Sequence, residues 1–416
     1  MSDILINKLK SYDRTVNCMP DKSMSVRAVL FNAYATGEAV VKNLLLSDDV
    51  LSAVDCARRL GAKIDIDGTT ARIAGSPFSG AVLDCGNSGT TARLLIGLLS
   101  GLNGTYTIDG DASLRSRPMK RVIEPLRSMG ARITDTDGRL PVTVVGSALS
   151  GTSYQMPIAS AQVKSALMLA GLNASGRVTV TEPSKSRDHT ENMLREMNAA
   201  VTVDGNTVSI EPGIIYARSM TVPGDISSAA YPICLALAVK GGHCLVKNVG
   251  INPTRTGIID LLRSIGANIE YKNAVMSAEP VADVEVRQGK LAPFIIEGGL
   301  VPRLIDEIPV LCALACFIDG VSVVKDAKEL KVKETDRISS TVAALRALGA
   351  DIEPTDDGMI IRGGKQLRFG TVDSMLDHRI AMSAAVAGAA GAGVNIIDAD
   401  CASVSYPKFY GEVIGV

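Results

Sequence analysis

Apolar residues along this chain fall into two alternating kinds of segment. One is amphipathic and ends in a recurring phrase: a bulky apolar residue, Gly-Ala or Asn-Ala, any residue, then Ile or Val. It stands at Leu60-Gly61-Ala62-Lys63-Ile64, Met129-Gly130-Ala131-Arg132-Ile133 and Met197-Asn198-Ala199-Ala200-Val201. It returns at Ile265-Gly266-Ala267-Asn268-Ile269 and Leu348-Gly349-Ala350-Asp351-Ile352. Successive copies lie 69, 68, 68 and 83 residues apart, the mark of a repeated supersecondary unit. The phrase predicts a helix with a basic last turn, a stop at a residue able to take left-handed dihedrals, and a β-branched strand at once. The other segments are apolar nearly all round and rich in Ala and Gly, beginning near Ser23, Ser88, Ser160, Ser227, Asp306 and Arg379. Helices of that kind are buried. The predicted unit is a buried helix, a strand or hairpin, an outer amphipathic helix, the Gly-Ala stop and a further strand. Six such units account for the 416 residues.

A chain of this length exceeds a single core, so two domains of three units each are expected. The break is placed at Val222-Pro223-Gly224-Asp225. The predicted domains are residues 20–224, and residues 1–19 together with 225–416. A strand from Asp3 to about Lys8 precedes the first buried helix and is expected to cross to the second domain, with a hinge near Cys18-Met19-Pro20.

Charge is balanced, 43 basic against 44 acidic residues, which speaks against a nucleic-acid binder. Eight cysteines form no Cys-x-x-Cys pair, and Cys312 and Cys316, one turn apart, read as core packing. Unpaired cysteines suit a reducing compartment. No signal-peptide core stands at Met1–Lys10, and Ile380–Val394 is too short to span a bilayer, so a cytoplasmic protein away from membranes is expected. His189, His243 and His378 lack metal-ligand spacing, and no metal or cofactor is expected.

Chemistry concentrates where the buried helices begin. Lys22-Ser23, with Arg27 one turn in, opens the first; Asn87-Ser88-Gly89-Thr90, with Arg93, the second; Ser160-Ala161-Gln162 the third. Asp306-Glu307 and Asp377-His378-Arg379 open the fifth and sixth. Helix N-termini favour anions, and added Lys or Arg suits phosphate or carboxylate. Ser, Asn and Asp also serve simply as N-caps. Capping does not account for Lys22, Arg27, Arg93 and Arg379 on apolar helices, where unpaired charge is costly. Two loops add cations: Asp111–Arg121, and Lys331–Arg337, in which Glu334 is flanked by Lys333 and Arg337. Glu334 and Arg337, three apart, are expected to share a helical face. A carboxylate among cations is a proton-transfer candidate beside an anionic substrate.

These pieces together resemble the enolpyruvyl transferases that act on shikimate 3-phosphate. The matching stretches are Asp21–Arg27, Asp84–Arg93, Asp111–Met119, Ser160–Ala166, Ser186–Glu191, Pro223–Ala229, Ile305–Glu307, Val332–Arg337 and Asp377–Met382, in the family's order. The resemblance implies a two-domain, inside-out α/β barrel-like fold, each domain three βαβαββ repeats around buried parallel helices. It implies metal-free transfer of the enolpyruvyl group of phosphoenolpyruvate to the 5-hydroxyl of shikimate 3-phosphate, with release of phosphate, on the route to chorismate and the aromatic amino acids. By the family pattern Lys22, Ser23, Arg27, Ser160, Ala161, Gln162, Arg187, Asp306 and Lys333 line the shikimate 3-phosphate site. Lys22, Gly89, Arg117, Gln162, Arg337 and Arg379 would hold phosphoenolpyruvate. Asp306 is the expected base for the hydroxyl, Glu334 the expected acid at the methylene carbon, and Lys22 the stabiliser of developing charge. Domain closure is expected to complete the site.

Three departures stand out. Ala161 replaces a serine that contacts the substrate phosphate in some members, a contact Arg187 would supply. Leu94 follows Arg93 where others carry proline. Val404 occupies a position that is lysine in some members, which predicts weaker phosphoenolpyruvate binding unless Lys408 substitutes. The nearest alternative is the transferase acting on UDP-N-acetylglucosamine, whose members usually carry a cysteine in the loop reading Arg115-Ser116-Arg117-Pro118 here. A non-catalytic repeat scaffold is the alternative of another class. A monomer without macromolecular partners is expected.

Overall fold

The computed structural model describes residues 2–416, and the chain divides into two compact units. One is Pro20–Val222; the other joins the segment up to Met19 with Pro223–Val416. The break therefore falls before Pro223, two residues ahead of the expected position. The reason is local pairing. The Gly224 N–H donates to the Asn248 carbonyl at 2.8 Å and the Asp225 N–H to Met19 at 2.7 Å, which ties both residues to the second unit.

Within Pro20–Val222 the middle repeat shows the complete pattern. Strand Ala81–Asp84 leads into buried helix Gly89–Leu99, strand Thr105–Asp109, outer helix Lys120–Ser128 and the hairpin Arg132–Thr136/Arg139–Val145. The first two strands are parallel, the hairpin is antiparallel, and the second strand pairs with the last. A helix between parallel neighbours is the connection such strands require. The next repeat repeats this order from Thr152–Gln155 through helices Ala161–Gly171 and His189–Glu196 to Thr207–Ile210. The first repeat starts directly with helix Lys22–Tyr34, and its missing first strand is Met220–Thr221, parallel to Glu38–Lys42. The two ends of the unit thus share one sheet.

The other unit is built likewise, with buried helices Ile226–Ala238, Ile308–Ala315 and His378–Ala390. Its last repeat is cut short. Strands Gly370–Asp373 and Val394–Ile397 flank their helix, and Ile4–Ile6 pairs antiparallel with the latter in place of a hairpin. The N-terminal segment therefore holds two strands rather than one. Ile4–Ile6 completes the sixth sheet, and Asp13–Asn17, which sequence reasoning missed, lies parallel to His243–Gly250.

The recurring phrase has a uniform structure. Gly61, Gly130, Asn198, Gly266 and Gly349 take φ of 117°, 100°, 69°, 100° and 83°, the left-handed turn that ends the helix. The basic residue does more than complement the helix dipole. Arg58, Arg127, Arg195, Arg263 and Arg346 each donate to the carbonyl oxygen six residues on, at 2.8, 2.7, 3.3, 3.1 and 2.8 Å. That bond fixes the angle at which the strand leaves the helix. Small residues let the buried helices touch. A Cβ on Gly97 would lie 2.2 Å from the Ala166 carbonyl oxygen on the neighbouring helix. Cys312 and Cys316 are both buried in the core. No helix among the described residues is long and apolar enough to cross a membrane.

Candidate active site

The candidate residues of Pro20–Val222 gather at the starts of its three buried helices. Asp21 caps the first by accepting the Met24 amide at 2.7 Å, which places Lys22 and Ser23 in the first turn, half-buried. The Lys22 ammonium lies 2.8 Å from Asp49. Ser88 caps the second helix and leaves Gly89 buried at its first position. A Cβ on Gly89 would lie 2.7 Å from Arg93 Nη1, so the glycine leaves room for that guanidinium, while Arg117 Nη1 at 3.5 Å would be in ordinary contact. Ser160 caps the third helix, with Ala161 and Gln162 half-buried just inside.

Gln162 ties the third helix to the second. Its Oε1 accepts from Arg93 Nη1 at 2.6 Å, and its Nε2 donates to Thr90 at 3.2 Å. Arg93 also donates to the Gly89 and Pro118 carbonyls, at 3.3 and 3.2 Å. Of the basic run Asp111–Arg121, Arg115 is half-exposed and pairs with Asp109. Arg117 instead turns inward and donates to Asn87 Oδ1 at 2.5 Å and to Ser113 at 3.0 Å. Arg27 joins three helices: it donates to Thr190 at 2.8 Å, to Ser165 at 3.2 Å and to the Ser23 carbonyl at 3.1 Å. Arg187 is partly exposed on the loop before helix His189–Glu196.

The second cluster lies within Pro223–Val416 and centres on Arg337, only 1% exposed. Its guanidinium pairs with Asp377 at 2.8 Å, Glu334 at 2.5 Å and Asp306 at 3.5 Å. Lys333 reaches Asp306 at 3.3 Å, and Arg379 donates to the Asp306 carbonyl at 3.0 Å. Three cations thus face three carboxylates. Burial works against charge on Asp377, yet Arg337 beside it outweighs that and holds the carboxyl below its ordinary range. Burial likewise opposes charge on Arg379 and Arg337, and the facing carboxylates, Asp306 and Asp377 first, raise both above the ordinary arginine value. One expectation needs correction. Glu334 and Arg337 do meet, but not on a helical face, because the helix begins at Arg337 with Asp336 as its cap. Glu334 approaches from the preceding loop.

The sequence reading missed the carboxylates that orient these cations. Asp49 sits in the first turn of an amphipathic helix, where an acidic residue reads as a dipole complement. Asp377 caps helix His378–Ala390 through the Arg379 amide at 2.9 Å, and capping explains it fully until Arg337 is seen beside it. Lys408 is exposed and Val404 half-buried at the end of the 3-10 turn Ala399–Val404. Among the described residues no group of His, Cys, Asp and Glu could hold a metal ion.

A family model described as EPSP synthase (3-phosphoshikimate 1-carboxyvinyltransferase) matches residues 6–413. The chain is 47% identical to a 3-phosphoshikimate 1-carboxyvinyltransferase of Synechococcus sp. (strain RCC307), over 99% of both chains. It is 49% identical to one of Gloeobacter violaceus, over 95% of this chain and 94% of that one. A solved structure of EPSP synthase from Acinetobacter baumannii superposes with a TM-score of 0.86 at 38% identity, covering 98% of this chain and 97% of that one.

Proposed function

The chain belongs to the EPSP synthase family, and from that membership we infer how its residues divide the work of the reaction. It is a 3-phosphoshikimate 1-carboxyvinyltransferase of the shikimate pathway, which moves the enolpyruvyl group of phosphoenolpyruvate onto shikimate 3-phosphate and releases phosphate. Addition takes a proton from the 5-hydroxyl and gives one to the methylene carbon of phosphoenolpyruvate. Elimination removes a proton from the methyl group so formed and expels phosphate.

We assign Asp306 as the acceptor of the hydroxyl proton and Glu334 as the group that protonates, then deprotonates, the carbon. The observation that carries this is their shared anchor. Both carboxylates pair with the buried Arg337, which fixes them without a metal. Positioning of that kind is what general acid–base catalysis needs. Lys22, oriented by Asp49, stabilises charge developing on the substrates. Ser23, Arg27, Ser160, Ala161, Gln162, Arg187 and Lys333 line the shikimate 3-phosphate site with Lys22 and Asp306. Gly89, Arg117, Arg337 and Arg379 hold phosphoenolpyruvate with Lys22 and Gln162, through helix N-termini and guanidinium groups suited to phosphate and carboxylate. We further propose that the enzyme works as a monomer, since every assigned residue comes from one chain, and that it is cytoplasmic, which eight unbridged cysteines support. Light scattering and fractionation of cells test those two points.

The direct test is phosphate release, which should require both substrates and persist in a chelator. Glu334→Gln should lower turnover by about 10²-fold or more while ligand binding holds. Near-normal turnover in the folded variant removes Glu334 from the mechanism, and the same result for Asp306→Ala removes Asp306.

A further inference from the structure

Lys164 lies one helical turn beyond Ser160, as the one charged residue of its helix, and its side chain is 1% exposed. Its ammonium pairs with Glu182 at 2.9 Å and with Glu191 at 2.7 Å, both carboxylates 3% exposed. Glu182 directly follows strand Val178–Thr181, and Glu191 stands in the first turn of helix His189–Glu196. Between them runs the loop that carries Arg187. Glu182 closes that loop on itself: it accepts the Ser186 amide at 3.2 Å and the Ser186 hydroxyl. Lys164 adds a longer contact of 3.5 Å to the Ser186 carbonyl. The neighbouring position on each helix is joined as well, for Ser165 and Thr190 hydrogen-bond at 2.6 Å.

Burying three charges is expensive, and well-packed apolar residues often serve stability as well or better. Stability therefore does not account for this cluster. Its geometry does. One ammonium connects the helix that presents Ser160 and Gln162 to both ends of the loop that presents Arg187. We propose that Lys164, with Glu182 and Ser186, is a positioning group for phosphate recognition, holding Arg187 in register with the start of the Ser160 helix. The inference rests on the reading that Ser160 and Arg187 take the phosphate of shikimate 3-phosphate.

The test compares dissociation constants for shikimate and shikimate 3-phosphate on the full-length protein by calorimetry. Their ratio isolates what the phosphate contributes. Lys164→Met should shrink that ratio by about tenfold, a change of about 1.4 kcal/mol, while shikimate itself binds within about twofold of wild type. In steady state the Michaelis constant for shikimate 3-phosphate should rise more than turnover falls. An unchanged ratio in folded Lys164→Met overturns the proposal, and so does an equal loss for both ligands. Should Lys164→Met fail to fold, Ser186→Ala removes one hydroxyl and puts the same question, with the same outcomes. Arg187→Ala separates the inference from its premise. If Arg187→Ala shrinks the ratio and the Lys164 and Ser186 variants do not, the positioning role fails alone. If Arg187→Ala leaves it unchanged, the premise fails and the inference with it.

Discussion

The two candidate clusters hold their arginines in opposite ways. In Pro20–Val222, the partners that orient Arg93 and Arg117 include oxygens without formal charge, those of Gln162, Gly89, Pro118, Asn87 and Ser113. In Pro223–Val416, Arg337 is wrapped by the carboxylates of Asp377, Glu334 and Asp306. An amide oxygen sets the direction of a guanidinium and leaves its charge to act on an incoming anion. A carboxylate offsets part of that charge and is itself fixed in return. The first arrangement suits binding of phosphate and carboxylate groups. The second suits a reaction in which two carboxylates must stand still while protons pass. One residue type thus serves two ends, and the partner decides which.

The comparison breaks most visibly under deletion of each arginine. Arg337→Met leaves the buried Asp377 carboxylate without its guanidinium partner, and losing one partner of a buried pair costs about 3–5 kcal/mol. Arg93→Met strands the neutral acceptors of Gln162, Gly89 and Pro118, with a cost of about 1–3 kcal/mol. Urea denaturation of both variants reads the difference. Equal losses would mean that the charge of the partner does not matter, and the distinction drawn above would go.

Effects on phosphoenolpyruvate sharpen the picture. Val404→Lys should tighten phosphoenolpyruvate by about 1.5–3 kcal/mol if the new ammonium reaches it, the usual value of a charge-assisted contact. An unchanged constant, together with a sharp loss in Lys408→Ala, would show that Lys408 already supplies that charge. Gly89→Ala should act more gently and in the other direction. Its Cβ would lie 2.7 Å from Arg93 Nη1, and Arg93 is held in place by Gln162 and Pro118. A rise of about tenfold in the phosphoenolpyruvate Michaelis constant is expected, equivalent to about 1.4 kcal/mol. The constant for shikimate 3-phosphate should move much less. A variant that weakens both substrates alike would place Gly89 in the scaffold rather than in the phosphoenolpyruvate site.

Local signals made the repeat legible. A left-handed stop and a small-residue helix are written within a dozen residues, so five outer helices and six buried ones follow from the pattern. What failed was pairing at a distance. Nothing in Asp13–Asn17 announces a partner at His243–Gly250, more than two hundred residues on. The truncated sixth unit is foreshadowed by five stops for six helices, yet which strand replaces the hairpin is not. The site divides the same way. Cations inside apolar helices stand out because unpaired charge there is costly, and the rule finds Lys22, Arg27, Arg93 and Arg379. It applies equally to Lys164, which the sequence reading passes over. Asp49, Asp377, Glu182 and Glu191 are invisible to it, because each meets its cation only in the fold.

The subtlest prediction sets two buried carboxylates against each other through pH. Asp377 faces Arg337, Thr335 and the Arg379 amide, with the Glu334 carboxylate and His378 close by. Burial opposes its charge, but Arg337 prevails and its pKa is lowered. Glu191 faces Lys164, whose charge Glu182 shares, with Asp188 nearby; there burial prevails over Lys164 and the pKa is raised. The signs follow. A lowered carboxyl pKa gives stability that is present above the unfolded value, about 3.9 for Asp, and is lost as pH falls through the folded value. A raised one gives stability that is present below the unfolded value, about 4.3 for Glu, and is lost as pH rises through the folded value. Relative to wild type, Asp377→Asn should therefore be most destabilised at neutral pH and least in acid. Glu191→Gln should gain ground on wild type as pH rises from about 4. Unfolding free energies from urea titrations between acid and neutral pH give both slopes. Two slopes of the same sign would mean that one cation governs its carboxylate as fully as the other, and that the Lys164 cluster is a second copy of the Arg337 arrangement rather than its opposite.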